Sequence, residues 1–309
     1  MYCTLCRGMT MSISGDPINH GHNSPEIIDP VVLDWGALSL PETWPDKLDL
    51  SKLPDLLVFF RKIFGKRQQV DIPDDLLGRE LIPKYALQEF HNLPNGNYSK
   101  AIACGYITGF DLSMLNKVQS GRDVLAGFLK GQKSVLDVGC AGGKTAAAVK
   151  SAGVNDVWGL DISPYLLQYA AKSFPDIKFV QGAAENTGFG DERFDGISAS
   201  FLFHEIPPKY ADQSLEEFNR ILEPGGLLAI IEPSPIQLYE SNPIKLFKIG
   251  GVSAFYFKAL ARFVYEPFVD SWHRRDLSEW FDSRGFDLIV DNSGIPFRTL
   301  LARKRLVKK

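Results

Sequence analysis

KSVLDVGCAGGKT, residues 133–145, decides the fold of this chain. Val135, Leu136 and Val138 form an apolar run that reads as a buried strand, and Asp137 interrupts it near the carboxyl end. Gly139, Gly142 and Gly143 then read as a turn into a helix. In an open parallel sheet, ligands bind where strands end and helices begin, so an acid beside a backbone stripped of Cβ atoms prepares a crevice. The spacing separates the ligand classes that use such a turn. A dinucleotide fingerprint, G-x-G-x-x-G, counted from Gly139 finds Ala141 and Lys144 at its second and third glycines. A phosphate-binding loop, G-x-x-x-x-G-K-[ST], matches at Gly143-Lys144-Thr145, but its first glycine falls on Val138 inside the strand. Asp137 would also set a negative charge beside the phosphates.

Further along, VWGLD at 157–161 is a second buried strand ended by an acid. A carboxylate there can accept hydrogen bonds from two vicinal ribose hydroxyls. Ser163 is available as the cap of the next helix, with Pro164 at its first position, which leaves Asp161 for a ligand. A helix over 164–173 and a third strand over 177–181 follow.

The pattern apolar-apolar-Asp-apolar-Gly-x-small-x-Gly resembles motif I of the class I S-adenosylmethionine (SAM) methyltransferases, with Asp137, Gly139, Ala141 and Gly143 in register. Ala141 stands where that family usually has its middle glycine. The segment Gly182-Ala183-Ala184-Glu185 corresponds to the family's Gly-Asp-Ala-Glu, whose acid meets the adenine amino group. Ala183 has no acceptor, so the resemblance leaves adenine to backbone groups near Ala184 or Glu185. Strand 195–200 resembles motif II, and LEPGGLLAIIE at 222–232, a hairpin-like turn into a fifth strand, resembles motif III. These blocks occur in family order, and the chain is identified as a member, of the small-molecule, ubiquinone-biosynthesis-like type. The resemblance implies SAM as cofactor, with Asp137, Gly139, Ala141, Gly143, Asp161, Ile162, Ala184, Glu185 and Ser200 as its contacts.

Methyl transfer is an in-line displacement on a sulfonium carbon. Alignment and exclusion of water supply most of the catalysis, and a base is added where the acceptor must lose a proton. His204 and Glu205, just after the fourth strand, are the candidate catalytic pair. Around them the expected architecture is α/β, a doubly wound, mostly parallel seven-stranded Rossmann-like sheet with an N-terminal helical cap. The expected divisions are a mobile leader over 1–49, a helical cap or lid over 50–119, and the methyltransferase domain over 120–309 with a lid insertion at 233–263. Helices are expected at 50–66, 74–92, 100–117 and 121–129, and the last pair of strands, 286–290 and 296–302, should be antiparallel. Tyr98 and Tyr106 from the cap, with Tyr265, Glu266 and His273 from the tail, are the candidate acceptor contacts.

The 309 residues, 45% hydrophobic and 23% charged, suit one large domain or two modest ones. A net charge of −3 argues against a dedicated nucleic-acid protein, and the basic run at 303–309 reads as a solvated tail. No apolar run approaches membrane-spanning length and no leader pattern is visible, so the expected location is the cytoplasm. Four cysteines make no disulfide framework. Cys3 and Cys6 with His20 and His22 follow the order of a zinc-finger ligand set, but a single residue between the histidines does not place both on one helical face, so no metal is expected. The expected activity is methyl transfer from SAM to oxygen, carbon or nitrogen of a small aromatic or quinone-like acceptor. The expected partners are that acceptor and a second copy in a homodimer, without nucleic acid or stable membrane insertion. Two other readings stay open. One is a SAM- or nucleoside-binding protein without turnover, given Ala141 and Ala183; the other is a peripheral membrane protein through the apolar segment 245–262, dependent on Phe255 and Phe257.

Overall fold

The computed structural model describes residues 29–306. Strands β1 (Ser134–Val138), β2 (Asp156–Asp161), β3 (Lys178–Gln181), β4 (Phe194–Ser200), β5 (Leu222–Pro233), β6 (Phe286–Ser293) and β7 (Phe297–Lys304) form one sheet in the order β3-β2-β1-β4-β5-β7-β6. The first five run parallel, and β7 is antiparallel to both β5 and β6. Helices α1 (Leu53–Phe64), α2 (Lys100–Ser113), α3 (Val118–Phe128), α4 (Lys144–Ser151) and α5 (Pro164–Ser173) come first. They are followed by α6 (Pro208–Ile221), α7 (Pro235–Tyr239), α8 (Pro243–Phe263), α9 (Val269–His273) and α10 (Leu277–Asp282). This is the doubly wound α/β architecture expected, with β1 an interior strand between β2 and β4. Both faces of β1 are covered, which is why it reads as an unbroken apolar run. Val135 packs with Leu125, Leu129, Val149 and Leu167 on one face, and Leu136 and Val138 pack with Phe194, Phe203, Phe218 and Trp280 on the other.

Local chemistry sets the element boundaries. Ser163 caps α5 by accepting from Leu166 N at 3.3 Å, and Ser99 caps α2 by accepting from Ile102 N at 3.2 Å. Motif III is not a hairpin but one bulged strand: Phe194 pairs with Leu222 and Gly196 already with Leu227. Residues 223–226 are extruded there, with Gly225 at φ 86° making the reversal.

The N-terminal part departs most from expectation. Residues 29–49, assigned to a mobile leader, are packed: Trp35 is 2% exposed and donates Nε1–H to Phe179 O at 3.0 Å. Tyr165 and Gln168 of α5 donate to Pro41 O and Leu38 O. The helix expected over 74–92 is instead three single 3-10 turns, Arg79–Leu81, Lys84–Ala86 and Phe90–Asn92. Pro83 stops helical propagation, and Gly78 and His91 take left-handed φ values of 73° and 56°. The cysteine and histidine set at Cys3, Cys6, His20 and His22 lies outside the described residues.

In α8, Asn242 caps Ile244 N and Lys245 N, and Gly251 breaks the helix at φ 61°. Phe257, which the alternative membrane-surface reading would place beside Phe255 on a lipid-facing surface, is 1% exposed and packs on Met114 and Val118. Tyr256 and Lys117 add hydrogen bonds between α8 and the end of α2, to Ser113 O at 2.6 Å and Ser253 Oγ at 2.9 Å. Among the described residues no helix is long and apolar enough to cross a membrane.

Candidate active site

The glycine turn stands at the carboxyl end of β1 as the sequence predicts. Gly139, Ala141 and Gly143 have φ values of 68°, 44° and 77°. A left-handed conformation at Ala141 carries the Cβ penalty that a glycine avoids, about 1 kcal/mol. Asp161, at the end of β2, holds this turn. Its Oδ2 accepts from Ala141 N at 2.8 Å and its Oδ1 from Ser163 N at 2.9 Å. Burial pushes its carboxyl up to about 6.

Asp137 does not reach the crevice. Its Oδ2 accepts from Ala146 N in the first turn of α4 at 3.0 Å, and its Oδ1 from Ser198 Oγ at 2.7 Å, so it ties β1, β4 and α4 together. Burial pushes it up to about 7. Gly143 likewise acts as the N-cap of α4 and does not line the crevice. Glu185 is also outside: both of its oxygens accept from Tyr85 Oη, at 3.0 and 2.9 Å. Gly139, Ala141, Asp161, Ile162, Ala184 and Ser200 do line it, with Tyr98, Tyr106 and Glu205.

Three further groups on this crevice escaped the sequence reading of cofactor contacts. Asn97 Oδ1 is buried and has no hydrogen-bond partner among the described residues. Arg122 and Lys144 both pair with Asp111, at 2.7 Å each, which leaves two cations at the end where α2, α3 and α4 meet. Burial raises the Asp111 carboxyl, but these two cations outweigh it and hold the group below the usual carboxylate range. The sequence carries the asparagine-glycine turn and the Gly143-Lys144 pair as signals, but not their convergence.

An apolar chamber of about 520 Å³ adjoins the crevice, and the two share Tyr106, Phe110 and Phe201. Its walls come from α1, α2 and α8. Gly105 and Gly109 of α2 line it, and a Cβ on either would meet nothing within 4 Å. One end is polar. His204 is 1% exposed, its Nδ1 is 2.6 Å from Glu232 Oε2, and Glu232 Oε1 accepts from Leu202 N and Phe203 N at 3.0 and 2.7 Å. His204 Nε2 lies 3.6 Å from Glu266 and 3.9 Å from Glu205. His91 Nε2 lies 2.9 Å from Glu205, and its ring stacks on Tyr106 at 5.4 Å. Burial disfavours charge on both imidazoles, but the facing carboxylates outweigh it and raise both above the ordinary histidine value. Glu266 lines the chamber. Tyr265 and His273 line neither space. Tyr265 sits under the Arg67 guanidinium, 3.6 Å from its ring centroid, and His273 is packed against Tyr239, with neither ring nitrogen hydrogen-bonded among the described residues.

A family model described as "Methyltransferase domain" matches residues 135–226, from β1 into the bulge of β5. An uncharacterized methyltransferase of Synechocystis is 37% identical over 102 residues, 33% of this chain and 47% of that protein. A demethylmenaquinone methyltransferase of Chlorobaculum tepidum is 37% identical over 107 residues, 34% and 43% of the two chains. A ubiquinone/menaquinone biosynthesis C-methyltransferase of Campylobacter jejuni is 24% identical over 150 residues, 47% and 62%. The matched part of this chain thus spans about half the length of the first two relatives. With motif I, the acid that ends β2 and the strand order all in place, the chain carries a class I S-adenosylmethionine-dependent methyltransferase domain, which is similar over part of its length to methyltransferases of menaquinone and ubiquinone biosynthesis.

Proposed function

We propose that the protein transfers a methyl group from SAM to a small, largely apolar acceptor of the quinol or phenol kind. The observation that carries this reading is the shared wall of crevice and chamber at Tyr106, Phe110 and Phe201, with polar groups gathered at the junction. The crevice residues fit SAM. Asp161 presents acceptors for the ribose hydroxyls, Asn97 Oδ1 offers a buried acceptor that no described residue uses, and Arg122 and Lys144 offer cations for the methionine carboxylate. When bound, SAM supplies an electrophilic sulfonium methyl.

In this reading the chain's own groups align and desolvate. The segment 29–117 caps the crevice with Tyr98, Tyr106 and Phe110, and the insertion 233–263 roofs the chamber, so water is excluded from the junction. Glu205, which lines the crevice, receives the proton of an acceptor hydroxyl as oxygen or the adjacent ring carbon attacks the methyl. His204, held by Glu232, and Glu266 orient the acceptor's polar edge. The relatives' printed names, demethylmenaquinone methyltransferase among them, support a quinol as the first acceptor to assay.

The test is transfer of labelled methyl from SAM to a panel of reduced naphthoquinols, benzoquinols and phenols. A labelled product with one of them is expected. SAM binding without product across the panel would replace the reading by a binding protein without turnover, and no SAM binding would remove it.

A further inference from the structure

Three separate segments bring nitrogen and oxygen donors to one point at the end of the chamber. His91 comes from a 3-10 turn, His204 and Glu205 from the loop after β4, and Glu266 from the loop after α8. His91 Nε2 is 2.9 Å from Glu205 Oε1 and 3.9 Å from Glu266 Oε1; His204 Nε2 is 3.6 Å from Glu266 Oε1 and 3.9 Å from Glu205 Oε1. The donor atoms of His91, His204 and Glu266 all lie within 4.8 Å of one another. Donors bound to one ion at about 2.1 Å stand about 3.4 Å apart on a tetrahedron and about 3.0 Å apart when adjacent on an octahedron. The observed gaps therefore close on a single ion with small side-chain adjustments.

Two further observations call for a cation at that point. Glu232 is 0% exposed, and its Oε1 is already saturated by two backbone N–H groups, so its Oε2 takes the Nδ1–H of His204. With Nδ1–H given to Glu232, His204 Nε2 is turned toward two carboxylates, and a proton or a metal ion on that nitrogen supplies the positive charge between them. Among the described residues, the only basic side chains that Glu205, Glu232 and Glu266 meet are imidazoles, and no lysine or arginine pairs with any of the three. Enclosed carboxylates without a cationic partner are costly.

We propose that His91, His204 and Glu266 bind one divalent first-row transition ion, such as zinc, iron(II), manganese or cobalt, with Glu232 as positioning residue. Two imidazole donors favour these ions over magnesium and calcium. His91, His204 and Glu266 line the chamber, so a remaining coordination position takes an oxygen of the molecule bound there; this last step rests on the proposed acceptor class.

The test uses the full chain stripped with a chelator. Titration with Co²⁺, followed by its visible d–d absorption, and Zn²⁺ competition against a chromophoric chelator should each give one equivalent. The His91→Ala/Glu266→Ala variant should lose that equivalent, and Glu232→Gln should weaken it by about 10–100-fold. The isosteric Glu266→Gln variant serves if the double variant does not fold. SAM affinity measured on the same variants should hold, which separates lost ligands from a lost fold and keeps the result independent of methyl transfer. Absence of a stoichiometric site in the wild type, or an undiminished site in the substituted proteins, would overturn the assignment. Addition of 4-nitrocatechol should shift its own spectrum with the loaded protein and not with the stripped one; no shift would overturn the acceptor-oxygen step.

Discussion

Asp161→Asn tests the crevice most sharply, because one carboxylate there serves both the fold and the ligand. In the structure the carboxylate is 7% exposed and accepts from Ala141 N at 2.8 Å and Ser163 N at 2.9 Å. The asparagine keeps one acceptor oxygen and turns an NH₂ toward one of those backbone donors. One charge-assisted bond is lost within the fold and one to a ribose hydroxyl, each about 1.5–3 kcal/mol. Unfolding free energy should fall by the first amount. The second corresponds to a rise of about 10–150-fold in the Kd for SAM. Calorimetric titration with SAM and S-adenosylhomocysteine, beside urea unfolding of the free protein, separates the two. The pH dependence follows from burial, which pushes this carboxyl from its ordinary 3.8 up to about 6. SAM affinity should be level above pH 6 and weaken below it, as protonation removes an acceptor. The group's own effect on the free protein runs the other way. Its folded pKa is raised, so its contribution to stability is full below 3.8 and is lost as pH rises through about 6. A folded Asn variant with unchanged SAM affinity would refute the reasoning.

Ala141→Gly should raise stability by about 1 kcal/mol, read by thermal unfolding, because it relieves a left-handed alanine at φ 44°. Loss of stability would show that the turn is not strained there. His273 has no hydrogen-bond partner among the described residues, and burial, aided by the His204 and Arg298 charges, pushes its pKa from 6.5 down to about 4. Its contribution to stability is therefore full above pH 6.5 and lost as pH falls toward 4, and His273→Phe should flatten that part of a urea-unfolding pH series. Gly109→Phe should fill part of the chamber, leave SAM affinity unchanged and raise the KM of a bulky acceptor roughly tenfold or more. An unaltered KM would place the acceptor elsewhere.

The central strands and their ligand turn were legible in the sequence for a local reason. A strand covered on both faces must be a continuous apolar run, and the turn that follows it must carry residues without bulky Cβ substituents. Asp161 was legible because it ends such a strand. The segment from 74 to 92 was not. Its apolar residues have helical spacing, yet Pro83 and the left-handed residues Gly78 and His91 divide it into single turns whose packing is decided by α5 and the crevice. Glu185 fitted a motif, but Tyr85, a hundred residues earlier in the chain, takes both of its oxygens. The polar cluster was half visible: His204, Glu205 and Glu266 were singled out, whereas His91 and Glu232 join them only through the fold. No local pattern records that a buried glutamate at the end of β5 fixes the tautomer of a histidine beyond β4.

The two glycines of α2 that face the chamber have a dynamic consequence. Each costs a helix interior about 1 kcal/mol relative to alanine, and neither adds a packed side chain to compensate. The α2 wall of the chamber is thereby weakened as a helix. Local opening of α2 needs less free energy than opening of the buried sheet behind it, so its amides should exchange with deuterium first. Because Tyr106 and Phe110 of α2 wall the crevice as well as the chamber, such opening would loosen both spaces together, so under the proposed function acceptor exchange and cofactor exchange should be coupled.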